Sequence, residues 1–134
     1  MNELIIKETK NTPEVNFNAH KGILSFSGKS YPEDAFTFYK PILKWIEKYF
    51  TEELQLNTII NFNMSYLNSS SSKIIFDILD LVEEFMKEDK YLEVNWIYDE
   101  ENDSAEEVGE NFKEEFSALH FNLSPYISST YRKK

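Results

Sequence analysis

The chain has 134 residues, no cysteine and a formal net charge of -10. That length suits one compact domain, the missing thiols exclude disulfides, thiol catalysis and thiolate metal sites, and hydrophobic and aromatic shares of 41% and 16% favour a packed core over disorder. A pI of about 4.7 argues against nucleic acid or an anionic membrane surface as a partner, since either would repel the chain.

A short apolar run over 4–7 ends in the turn signal Asn11, Thr12, Pro13. Residues 15–18 and 23–27 predict two hairpin strands, with Gly22 free to take positive φ in the turn. His20 falls in that exposed turn and His120 lies far away in sequence, so both are expected at the surface and neither as a catalytic base. GKSYPED over 28–34 predicts a loop closing on a helix N-terminus. The helix follows with Ala35, Phe38, Tyr39, Ile42, Ile46, Tyr49 and Phe50 on one stripe, and Pro41 predicts a kink or a short separate first turn.

The centre of the chain is 58–86. Ile60, Phe62, Met64 and Tyr66 alternate with Asn61, Asn63 and Ser65, the period of a half-buried strand. From Ile75 the apolar residues Ile78, Leu79, Val82, Phe85 and Met86 recur at helical spacing, so four serines fall where a strand ends and a helix begins. Asn68 and Ser69 suit the role of helix cap. Lys73 stands in the first turns, where the macrodipole disfavours a cation unless an anion arrives, so Asn68, Ser70, Ser71 and Lys73 also suit an anion site. That anion is either a small ligand, such as a nucleotide or phosphorylated metabolite, or a covalent phosphate on a serine.

Asp89 and Lys90 turn the chain into a strand over 92–98, with Val94, Trp96 and Tyr98 on one face. This makes a βαβ unit, whose sites belong at the carboxyl ends of its strands, near 67–72 and 98–103. Asp99, Glu101, Asp103 and Glu110 occupy calcium-loop positions, but Ser104 stands where the sharp turn needs glycine, so no metal is expected. Ser104 and Glu107 instead predict a capping box for a third helix with Ala105, Val108, Phe112 and Phe116 inward. Pro125 and the polar run to Lys134, which includes Arg132 and Lys133, predict a loosely held tail over about 124–134. With no linker, repeat, targeting pattern or long apolar run, residues 1–134 are expected to form one cytoplasmic domain. The expected fold is α/β, a mixed sheet of about five strands with helices mainly on one face and a more polar face opposite.

GKSYPEDAFTFYKPILKWI, YLNSSSSKIIFDILDLVEEF and VNWIYDEENDSAEEVGENF, in this order and spacing, resemble the SiaC family of bacterial regulatory phosphoproteins, a group similar to anti-anti-sigma factors of the STAS fold. The resemblance implies a STAS-like domain without chemistry or cofactor of its own. It implies a partner kinase that phosphorylates the loop before the helix and a phosphatase that reverses it. It also implies that the unmodified form binds and activates a diguanylate cyclase in cyclic-di-GMP signalling. The family pattern Asn-Thr-Ser-Ser, with Lys two positions on, falls on Asn68, Ser69, Ser70, Ser71 and Lys73, which makes Ser69 the implied phosphoacceptor, with Ser in place of the usual Thr. Tyr31, Glu33 and Tyr66, together with Asn68, are the expected partner interface.

Overall fold

The computed structural model describes residues 2–52, 57–86 and 90–128. The elements follow as β1 (Leu4–Ile6), β2 (Glu14–Asn18), β3 (Ile23–Ser30), α1 (Ala35–Glu52), β4 (Asn57–Leu67), α2 (Ser69–Glu84), β5 (Tyr91–Asp99), α3 (Asp103–Glu115) and β6 (His120–Tyr126). The strands form one mixed sheet in the order of the chain, β1-β2-β3-β4-β5-β6. The first two pairings are antiparallel and the last three parallel. Three βαβ units that advance in one direction with the same hand place α1, α2 and α3 on one face.

Strand alternation becomes rows across the sheet. Phe17, Leu24, Ile60, Val94 and Phe121 lie side by side in register, as do Val15, Phe26, Phe62, Trp96 and Leu123. These rows face the helices: Phe26 stacks on Phe62 at 4.8 Å and Phe62 meets Trp96 at 5.7 Å. Between them, pointing to the uncovered face, runs the row Asn16, Ser25, Asn61, Asn95, Asn122. Asn122 donates to Asn95 and Asn95 to Asn61, both at 2.9 Å, and Asn61 donates to Ser25 at 3.4 Å. A one-residue slip in any of these strands would bury amides and expose aromatics, so the two faces together fix the register.

Two glycines are needed where they stand. Gly22 turns β2 into β3 at φ 69°, and a Cβ there would lie 2.4 Å from the carbonyl oxygen of Asn57. Gly109 lets α3 rest on the Trp96 ring, where a Cβ would come within 2.3 Å of the indole. The indole N–H can therefore reach the Ala105 carbonyl, at 2.9 Å.

Several expectations are corrected. The sheet has six strands, not five, because residues 120–126 pair with β5 as an edge strand. Residues 124–126 of the expected tail thus belong to β6, and Pro125 is tolerated because an edge strand needs partners on one side only. The remainder of that tail over 129–134, with Arg132, Lys133 and Lys134, lies outside the described residues, as does Asp89 of the expected turn. β3 continues through Gly28, Lys29 and Ser30, where the sequence predicts a loop. Of the two outcomes expected at Pro41, a separate first turn is ruled out: α1 passes through the proline as a single element, with Asp34 accepting from the Thr37 amide at its start. Helix α3 is capped by Asn102, which accepts from the Ala105 amide, instead of by Ser104.

Candidate functional site

The junction between β4 and α2 is shaped by one irregularity. Gly28 pairs with Met64 and Lys29 with Tyr66, so Ser65 is an extra residue in β4, a bulge that reverses the alternation. Without it Tyr66 would continue the buried series of Ile60, Phe62 and Met64. With it Tyr66 turns outward and is 52% exposed. Its ring meets Tyr31, half-buried in the β3–α1 loop, edge-on at 5.9 Å. Glu33 is exposed in the same loop.

The start of α2 is tied to the end of β3. The Asn68 amide donates to the Ser30 carbonyl at 2.9 Å, and the Asn68 side chain accepts from the Ser71 amide at 2.9 Å. Asn68 is thus the helix cap, satisfying one of the free amides of the first turn. The next residues share a chemistry but have different fates. Ser69 and Ser70 are exposed as the first two residues of α2, and Lys73 is exposed one turn on. Ser71 is fully buried. Its hydroxyl lies 2.7 Å from that of Ser30, which lies 2.7 Å from the phenol of Tyr39 on α1. Burial, opposed by the hydroxyls of Ser30 and Ser71, pushes the Tyr39 phenol up to about 12. The assignment of Ser71 to an exposed anion site is therefore corrected: helical phase turns it inward, where it binds the core.

Ser30 and Tyr39 were not singled out from sequence, because each lay in a pattern assigned to a loop or to an apolar stripe. Asn102 was missed for a similar reason. It caps α3 and also donates to the Ser65 carbonyl at 3.0 Å, which couples the two loops at the carboxyl ends of β4 and β5. An Asn directly before the acidic first turn of Asp103 and Glu106 was the available signal.

Beside the junction, a cavity of about 110 Å³ opens between β4 and the first turns of α3. Met64, Trp96 and Ala105 lie at its base, and Tyr66, Ser104 and Val108 also line it. A second, shallower groove of about 310 Å³ runs between α1 and α2, lined by Phe36, Lys40, Leu43, Lys44, Glu47, Asp77 and Leu81. Neither is lined by Asn68, Ser69, Ser70 or Lys73. His20 is exposed in the β2–β3 turn. His120 sits on the open face with its Nδ1 2.9 Å from the Tyr91 hydroxyl, which donates to Glu93 at 2.6 Å. That bond, a second from Asn95 and the electrostatic pull of the nearby His120 hold the Glu93 carboxyl below its ordinary range. Among the described residues no group of His, Asp and Glu side chains could hold a metal ion, and no helix is long and apolar enough to cross a membrane.

A six-stranded mixed sheet backed by three helices, with exposed hydroxyls where β4 passes into α2, is the α/β architecture that the family resemblance implies. The chain belongs to the SiaC family: the family model described as SiaC family regulatory phosphoprotein matches residues 6–126. The chain is 33% identical over 117 residues to an uncharacterized protein of Pseudomonas aeruginosa strain UCBPP-PA14, covering 87% of this chain and 92% of that one. Its fold is similar to the crystal structure of apo-SiaC from Pseudomonas aeruginosa, with TM-score 0.84 and 32% identity over 92% of this chain and 99% of that chain. The same TM-score, identity and coverage hold for a chain in the crystal structure of the diguanylate cyclase SiaD in complex with its activator SiaC, also from Pseudomonas aeruginosa.

Proposed function

We propose that this protein is a phosphoswitch adaptor without catalytic chemistry of its own. Its unmodified form binds and activates a diguanylate cyclase in the cytoplasm, and phosphorylation of Ser69 by a kinase breaks that contact until a phosphatase restores it. The observation that carries this reading is the exposure of Ser69 as the first residue of α2, at the family's acceptor position. The likeness to SiaC bound to a diguanylate cyclase supports the output.

The physics of such a switch is local. A phosphate brings about -1.5 to -2 charges, and a helix N-terminus tolerates it with roughly 0.3–1 kcal/mol of dipole stabilisation. The cap stays on Asn68 and the inner anchor stays on Ser71, neither of which needs the Ser69 hydroxyl. A partner that covers Ser69 must desolvate the new charge, which costs several kcal/mol. Asn68, which precedes Ser69, and Tyr66, Tyr31 and Glu33, from the end of β4 and the β3–α1 loop, are the rest of the proposed contact surface.

Intact-protein mass spectrometry on protein from its native cells, beside a Ser69→Ala variant, tests the reading, with both forms used to capture the cyclase. A phosphate on Ser69, and loss of cyclase capture when it is present, supports the switch. Equal capture by phosphorylated and unmodified protein overturns it.

A further inference from the structure

The cavity between β4 and α3 reaches Tyr66 and Leu67, the last residues of the strand that leads to Ser69, and has a chemistry of its own. At about 110 Å³ it is well under the roughly 300 Å³ at which small-molecule pockets begin, which makes it the size of one side chain. Buried Met64, Trp96 and Ala105 form its base, and exposed Tyr66 and Ser104 its mouth. Its shape is fixed in the free protein, because Asn102 ties the Ser65 carbonyl to the α3 cap and the Trp96 indole is held by the Ala105 carbonyl. A preformed apolar socket loses little freedom when filled.

The surroundings are acidic. The loop before α3 carries Asp99, Glu100 and Glu101, the helix adds Asp103, Glu106 and Glu107 in its first turns, and Lys113 is the lone cation of α3. None of these carboxylates has a cationic partner among the described residues. The Tyr98 phenol is pushed up by burial and then by Glu106, Glu110 and Glu100. An acidic segment would be repelled by this field and a neutral one would gain nothing from it, whereas a segment bearing Lys or Arg would be steered toward it.

We propose that this socket receives one apolar side chain, the size of leucine or phenylalanine, from a Lys- or Arg-bearing segment of the partner that covers Ser69. The inference deepens the adaptor reading and rests on it for the partner's identity, though not for the socket itself. The knob is a contact common to either state of Ser69, while the serine surface beside it decides whether the rest of the interface closes.

The test uses the full unmodified protein and a pair of probes that share a ring and differ in charge, phenethylammonium and 3-phenylpropanoate. The Trp96 indole N–H resonance, assigned with a Trp45→Phe variant, reports occupancy. Saturable shifts are expected, with the cation binding about fivefold more tightly than the anion at low salt and the difference shrinking as salt screens the carboxylates. Ser104→Trp, a plug at an exposed position, should abolish them, and Ser104→Leu serves if the larger plug disturbs folding. No Trp96 shift, equal affinity for both charges, or shifts that survive both plugs overturn the proposal. A captured cyclase should lose about tenfold in affinity for the plugged protein while the kinase still modifies Ser69, and full-affinity binding by the plugged protein overturns the socket's role. If capture by the wild type proves indifferent to Ser69 phosphorylation, the switch fails and the socket stands.

Discussion

Consecutive serines at one helix start live in two environments. Ser69 and Ser70 face water, while Ser71 faces a dry chain of hydroxyls running through Ser30 to Tyr39. The outer pair is accessible to a modifying enzyme, and the inner serine is bonded into the core and out of its reach. A helical advance of about 100° per residue is enough to separate the two roles. The proposed switch would thus draw its rigidity and its reactivity from different residues.

Charge added on the outer side should have the largest effect. Phosphoserine at position 69 should weaken binding of the cyclase on the order of a thousandfold, about 4 kcal/mol, in a titration of purified proteins. The melting temperature should stay within about 2 °C of the unmodified value. Breaking the inner chain should do the reverse. Ser30→Ala strands two buried hydroxyls and should cost about 2–3 kcal/mol in denaturant unfolding, with cyclase affinity unchanged where the protein is folded. Any large loss of affinity there would show that the two sides are coupled.

Alkaline titration probes the inner chain without mutation. The Tyr39 phenol is raised from 10.0 to about 12, so between those values the unfolded chain has released its proton and the folded protein still holds it. The folded state then binds more protons, and stability falls as pH rises through this window, by about 2 kcal/mol in all. Tyr39→Phe should flatten that slope while leaving stability below pH 10 within about 1 kcal/mol. The smallest effect belongs to the link between the sides: Asn68→Ala removes the cap and should cost about 1 kcal/mol, measured by urea unfolding.

Much of this molecule was legible in its amino acids, and the parts that were not share a cause. Period-two alternation in 60–64 and 92–98 marked the buried rows, because each strand's pattern depends on that strand alone. Tyr66 continued the same pattern yet points outward, since a bulge is a property of two paired strands and Ser65 bears no mark of it. The helix start near Ser69 could be read from the change of period, but the inward turn of Ser71 depends on Ser30, forty-one residues away in sequence. Asn68 was seen as a cap because capping is local; Asn102 was overlooked because Ser104 and Glu107 offered a competing local pattern. What the junction is for came from the family resemblance alone, as an expectation, and the geometry adds which of its hydroxyls are exposed.

The strand order carries a last consequence, for how the chain is made. Each strand lies beside the one synthesised just before it, so a nascent chain never has to wait for a distant segment to complete a pairing. The β1–β2–β3 meander can close first, and each later helix and strand then docks on an edge that already exists. Assembly can thus proceed in the direction of translation, leaving β6 as the last edge to be added.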